Sequence, residues 1–378
     1  MRRRKLGDVC SRLSSGKSIK SSEIKELGSY PVIGGNGVRG YTESFNFEGE
    51  CAVVGRQGAA CGNVRFYSGK AYMTEHAVVA VADEGNDSRY LAYLLSTMHL
   101  GHLSAQSAQP GLSVKTLSKQ EIDLPPLEDQ RQIVGILGTI DDKIAANTKL
   151  NGYLEELLLA KYDKLFPVNA DFTGILSDVG TIIGGATPSK KRSEYYCSNG
   201  IGWITPRDLS NTSDKFIAHG TDDITDEGYA SCSAKLLPKG SVLFSSRAPI
   251  GYIAIAADAV ATNQGFKSIV PKEEIGTAFV YCFLVRNKQR IADMGAGTTF
   301  PEVSGKMMKS VELAIPKQTL CAEFDFFAGP ILRQQEALER ENRELAALRD
   351  ALLPKLMSGE IDVSQVDLTQ INSHLAAR

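Results

Sequence analysis

One order of short motifs runs twice along the 378 residues, and any fold for this chain has to accommodate both copies. Leu6-Gly7-Asp8-Val9 returns as Leu176-Ser177-Asp178-Val179, each followed by a small-residue turn, Ser14-Ser15-Gly16-Lys17 and Gly184-Gly185-Ala186-Thr187-Pro188. A β-like apolar run then leads to an arginine in each half, Cys51-Ala52-Val53-Val54-Gly55-Arg56 and Val242-Leu243-Phe244-Ser245-Ser246-Arg247. Thr74-Glu75-His76 falls where the second half has Thr262-Asn263-Gln264, and Leu112-Ser113-Val114-Lys115 where it has Val303-Ser304-Gly305-Lys306. Ile122-Asp123-Leu124-Pro125 closes the first copy as Leu313-Ala314-Ile315-Pro316 closes the second. From Leu112 onward the two copies keep a constant offset of 191 residues. A repeat of this length is a domain-sized unit written twice.

The offset carries into two helical stretches. Apolar residues at Ile133, Ile136, Ile140, Leu150, Leu154 and Leu157 occupy the a and d positions of one heptad frame. Adding the offset gives Phe324, Phe327, Ile331, Glu341, Leu345 and Leu348, with Leu338 and Leu352 extending the a row. Pro125-Pro126 and Pro316 set the helix starts, and Glu128 and Asp129 place negative charge in a first turn, where the dipole favours it. Each stripe covers about 35 residues, roughly 50 Å at 1.5 Å per residue, more than one small domain is expected to cover. The economical solution pairs the helices with each other, antiparallel if the halves are related by a pseudo-two-fold axis, with Asn147 and Glu341 as register-setting polar interruptions. The globular parts alternate short strands, glycine turns and one or two helices. The expected class is therefore α+β: two mixed α/β domains, residues 1–126 and 169–316, separated by spacer helices at 127–168 and 317–360, with 361–378 as a C-terminal tail.

Composition excludes several classes. A 43% hydrophobic content fills a core in each half, yet no stretch approaches the roughly 20 apolar residues of a membrane span, and the basic start Arg2-Arg3-Arg4-Lys5 has no apolar segment behind it. The seven cysteines are scattered, odd in number and never spaced C-x-x-C, which fits a reducing cytoplasm better than a disulfide frame or a zinc site. The net charge of −2 gives no global sign of a nucleic-acid partner, although the globular parts are mildly basic and the helical parts acidic.

Catalytic motifs are missing. Gly35-Asn36-Gly37-Val38-Arg39-Gly40 reads G-x-G-x-x-G, but the following Tyr41 to Phe47 alternates like a strand instead of opening a helix, so the glycines are read as a turn and not as a dinucleotide or S-adenosylmethionine site. Asp8 with Glu23-Ile24-Lys25 loosely matches a nuclease triad, and the second copy has no equivalent. There is no phosphate-binding P-loop, no H-E-x-x-H, no adenine-methyltransferase N-P-P-[YF], and the five histidines do not cluster. No catalytic residue and no metal site is expected.

The second half carries Gly185-Ala186-Thr187-Pro188-Ser189-Lys190, Trp203-Ile204-Thr205-Pro206-Arg207-Asp208-Leu209, Ser245-Ser246-Arg247-Ala248-Pro249-Ile250-Gly251 and Ala261-Thr262-Asn263-Gln264-Gly265-Phe266. In this order they resemble a target-recognition domain of the DNA-specificity subunit of type I restriction-modification enzymes. The first half resembles another sequence class of that domain through Ile33-Gly34-Gly35-Asn36-Gly37 and Gly58-Ala59-Ala60-Cys61-Gly62-Asn63-Val64. Leu124-Pro125-Pro126-Leu127-Glu128-Asp129-Gln130 and the stretch from Leu352 to Ile361 resemble the family's helical regions, so the likeness covers nearly the whole chain.

The resemblance implies a non-catalytic reader of double-stranded DNA, each domain recognising one half of a bipartite, asymmetric site. The coiled coil would set the spacer and dock two methyltransferase subunits, which bring S-adenosylmethionine, and through them restriction and translocation subunits. Base readout needs Arg, Lys, Asn and Gln on loops, with Lys, Arg, Ser and Thr on phosphates. The candidates are Lys17, Arg39, Arg56, Gln57, Asn63, Arg65 and Gln109 in the first domain, and Thr187, Lys190, Lys191, Arg192, Arg207, Arg247, Asn263, Gln264 and Thr298 in the second. Asn263 and Gln264 serve equally well as caps of buried turns, and His76 reads as a satisfied core or edge histidine. The competing reading is a coiled-coil scaffold or adaptor whose domains bind protein.

Overall fold

The computed structural model describes residues 2–104, 111–167, 171–295 and 301–365. It divides into two compact units, Met1–Ile144 with Glu344–Arg378, and Ala145–Arg343. Leu356 and Val363 are buried in the first unit's core beside Leu6, Leu91 and Ile133.

In the first unit six strands lie in the order Cys10–Ser15, Ala77–Ala82, Phe47–Gly55, Val64–Met73, Tyr30–Gly34, Gly37–Thr42. All neighbours are antiparallel except Val64–Met73 and Tyr30–Gly34, which run parallel. Inward alternation along Phe47–Gly55 sends Ala52 and Val54 to the core that receives the helix Ser88–Thr97, and Cys51 and Val53 to a smaller cluster on the other face. That helix starts where the Asp87 carboxylate accepts from the Arg89 and Tyr90 amides.

The second unit has a five-stranded sheet, Gly180–Gly184, Lys267–Pro271, Val242–Ser246, Ile250–Ala256, Phe216–Ile217, and a helix Thr277–Asp293. Val242 and Phe244 face its main core, and Leu243 the second cluster.

The repeat is visible bond by bond. Leu6 N donates to Gln120 O and Leu176 N to Val311 O; Leu112 N donates to Arg56 O and Val303 N to Ser246 O. Ser113 caps a one-turn helix as Ser304 caps another. The parallel pair of the first unit, Ile33 beside Met73, returns as Ile204 beside Thr262. Arg56 N donates to His76 O where Ser246 N donates to Gly265 O, and Thr74 N to Ile33 O where Asn263 N donates to Ile204 O. The backbone partner of Arg56 is therefore Ser246, and Gln57 matches Arg247; Thr74-Glu75-His76 match Asn263-Gln264-Gly265. Aligning the two arginines slips the sequence by one residue, which would put Val53 and Phe244 on the same face when they lie on opposite ones.

The long helices are Leu127–Leu165 and Gln318–Ser358. They run antiparallel: in the first unit Arg349 donates to Asp141 at 3.0 Å, and in the second Asn147 donates to Glu341 at 2.7 Å and to Asn342 at 3.0 Å, while Lys161 donates to Glu323 at 2.7 Å. Ile133, Ile136, Ile140, Phe324, Ile331, Leu338 and Leu345 are buried, and Leu154, Phe327 and Leu352 half-buried. Leu150, Leu157 and Leu348 correct the expected seam, being 43%, 50% and 47% exposed. The second row of the seam lies one residue later, at Leu137, Ile144, Asn151 and Leu158, and at Cys321, Ala328, Gln335, Asn342, Arg349 and Leu356. These rows still keep the 191-residue offset, but more than half their members are polar or small, so an apolar stripe does not trace them.

Part of that polarity is a buried network. Glu339 accepts from the amides of Lys215 and Phe216, both at 2.9 Å, and from Asn151 at 3.1 Å. The Lys215 ammonium, over the Tyr281 ring, donates to Glu155 and to Gln335. Burial pushes the Glu339 carboxyl up against the pull of those amides.

Candidate nucleic-acid interface

Both units build a loop cluster on the same skeleton. Gly16 and Gly185 each lie against a neighbouring turn so closely that a β-carbon would stand 2.1 Å from Met73 O or Thr262 O. This places the loop after each glycine over the turns Thr74–His76 and Asn263–Gly265. Aromatic donors then hold the loop: Tyr72 OH donates to Ser18 O at 3.0 Å in the first unit, while in the second Trp203 Nε1 donates to Ala186 O at 3.0 Å and Tyr196 OH to Pro188 O at 2.8 Å.

In the second unit the result is a cleft of about 640 Å³ whose lining includes Thr187, Lys190, Arg207, Arg247, Asn263 and Gln264. The Asn263 amide oxygen accepts from Gly265 N at 2.8 Å, so it shapes the turn, and Gln264 accepts from the Thr187 hydroxyl. Arg247 lies 3.7 Å from Glu302, which also pairs with Lys267 at 3.3 Å. Asp208 lines the same wall but is committed: it accepts from the amide and hydroxyl of both Thr205 and Thr221, at 2.6 to 2.8 Å. Burial tends to raise its pKa, and the four donors outweigh that and lower it. Lys191 and Arg192 are exposed outside the lining, Arg192 pairing with Glu194 and covering the Tyr195 ring. Thr298 falls outside the described residues.

In the first unit the glycine-rich motif is a two-residue hairpin, Gly35-Asn36, with Gly34 paired to Gly37. Gly37 has φ +105°, which a side chain rarely adopts, and a β-carbon there would stand 3.0 Å from the Arg65 guanidinium. Arg39 folds over Gly34, and Gly35 packs on the Arg56 amide, so the hairpin gathers three of the candidate arginines. Arg56 Nη1 donates to Ser15 Oγ at 3.5 Å, and Lys17, Gln57 and Asn63 are exposed around them. Gln109 falls outside the described residues. Glu23 and Lys25 are exposed and form no site. Among the described residues no three His, Cys, Asp or Glu side chains are grouped to hold a metal, and no helix is long and apolar enough to cross a membrane.

The second unit's cleft and the first unit's hairpin cluster thus present cationic and amide side chains on one shared backbone plan. The model of the type I restriction modification DNA specificity domain matches residues 1–156 and 173–324. This chain belongs to that family. Among specificity subunits, it is 38% identical over 180 residues to the type I restriction enzyme MjaIX specificity subunit of Methanocaldococcus jannaschii, a match covering 45% of this chain and 41% of that one. It is 24% identical over 330 residues to the HindI specificity subunit of Haemophilus influenzae, covering 67% and 71%. The crystal structure of a type I restriction-modification S subunit from M. genitalium has the same fold, at a TM-score of 0.62, 17% identity, and 94% and 95% coverage.

Sequence reasoning missed the positioning roles of Tyr72, Tyr196 and Trp203, and left Glu75 aside. No spacing is common to the three aromatics: Tyr72 lies on the later strand of its parallel pair and Trp203 on the earlier strand of its own, so only the structure brings them to their loops.

Proposed function

We propose that this specificity-family chain is the sequence-reading, non-catalytic subunit of a type I restriction-modification enzyme. Each domain reads one half of a bipartite DNA site, and because the two loop clusters carry different side chains the halves differ. The paired helices set the spacer and dock two methyltransferase subunits, which bind S-adenosylmethionine; restriction subunits join through them. The observation that supports this best is the convergence of Lys190, Arg207, Arg247 and Gln264 on one cleft of about 640 Å³, the residue types that base edges and phosphates call for.

The deciding experiment is co-expression with the partner methyltransferase and genome-wide mapping of methylated adenines. The expected outcome is one non-palindromic motif in two parts separated by a fixed run of unspecified bases. Methylation that follows no motif, or a continuous palindrome, would overturn the reading.

A further inference from the structure

We propose that Glu75 reads the exocyclic amino group of a cytosine in the half-site bound by the first domain; this rests on the DNA-reading function proposed above. The hydrogen-bond skeleton puts Glu75 where the second domain has Gln264, a residue of its cleft. The turn that carries it joins the strands Val64–Met73 and Ala77–Ala82, and Gly35 of the hairpin that gathers Arg39, Arg56 and Arg65 packs on the adjoining His76 carbonyl.

The carboxylate is only half used. Its Oε1 is 3.4 Å from His76 Nε2, which orients the group. Its Oε2 is shielded from solvent and accepts no hydrogen bond among the described residues, and the neighbouring Thr74 hydroxyl is buried and equally without a partner. A buried acceptor left without a donor is costly, and the side chain as a whole is 39% exposed, so turning the carboxylate outward to a ligand that supplies an N–H is favoured.

The chemistry of the duplex then narrows the donor. Phosphates are repelled by a carboxylate and are served by Lys17, Arg39 and Arg65, which are exposed nearby. On base edges in the major groove only the amino groups of cytosine and adenine donate. Adenine offers the acceptor N7 beside its amino group, which suits an amide such as Gln264 and opposes a second carboxylate oxygen. Cytosine has no acceptor in that place. Glu75 and Gln264, at equivalent positions, thus read different bases.

The test is selection of bound sequences from randomised duplexes by the full chain co-purified with its methyltransferase, comparing the wild type with Glu75→Gln and Glu75→Ala. The wild type should demand cytosine at one position of one half-site by about tenfold. Glu75→Gln should move that position towards adenine and Glu75→Ala should flatten it, while the other half-site stays as it was, which shows that the chain is folded. Unchanged preference at every position in both variants overturns the assignment. So does an even loss across the whole half-site, because that marks Glu75 as a support of the fold. A wild type that selects no sequence at all fails earlier and brings down the DNA-reading function itself.

Discussion

Asp208 shows how a residue in a binding cleft can be structural. Its four donors are backbone and hydroxyl groups of Thr205 and Thr221, so no lone pair is directed at a ligand. Asp208→Asn turns at least one of those donors towards an amide NH2, and the expected loss at neutral pH is about 1–3 kcal/mol by urea unfolding. The folded state holds the Asp208 carboxyl below its usual pKa. Its contribution is therefore complete above the unfolded value and is lost as pH falls through the lower, folded one. The gap between wild type and variant should shrink on acidification below about pH 4; a gap that stays constant or widens contradicts the assignment. At this scale the sequence was only half legible. Motif order singled out Thr187, Lys190, Arg207, Arg247, Asn263 and Gln264, which share a cleft, but left Asn263 open between base contact and turn and could not say that Glu75 occupies the position equivalent to Gln264. Matching arginine to arginine misses a one-residue slip that only strand faces expose.

The long helices were legible in length and shared offset, because proline and acidic starts and a 191-residue repeat are written directly in the chain. Their contact face was legible only in one row. The other row includes Asn151, Gln335, Asn342 and Arg349, whose burial depends on partners far away in sequence, such as Asp141 for Arg349. Polar members of a seam fix which residues face each other, since a slip would bury them without those partners. If the helices set the spacer, lengthening both by one turn at matched points, after Leu150 and after Glu341, should keep the pairing and lengthen the unspecified run by about one to two base pairs, given ~5.4 Å per turn and ~3.4 Å per base step. Mapping methylated sites of the double insertion measures this, and an unaltered run would refute the ruler.

Taken as one molecule, the chain carries a net charge of −2, so the attraction to DNA that the proposed function requires has to come from local clusters such as Arg39, Arg56 and Arg65, and not from overall charge. Affinity for its specific duplex should fall steeply and linearly in log–log form with salt, as counterion release requires. Titrations between about 50 and 200 mM salt check this, and a flat response would favour protein-binding domains instead. The division of the chain into units has a consequence for its synthesis. The core around Leu6 and Leu91 is closed by Leu356 and Val363, so the domain begun first is completed last. At about 5–20 residues per second, the ribosome needs on the order of ten seconds or more after Ile144 emerges to deliver those two side chains. During that interval the second unit, contiguous in sequence, can fold while the first waits with an open apolar face.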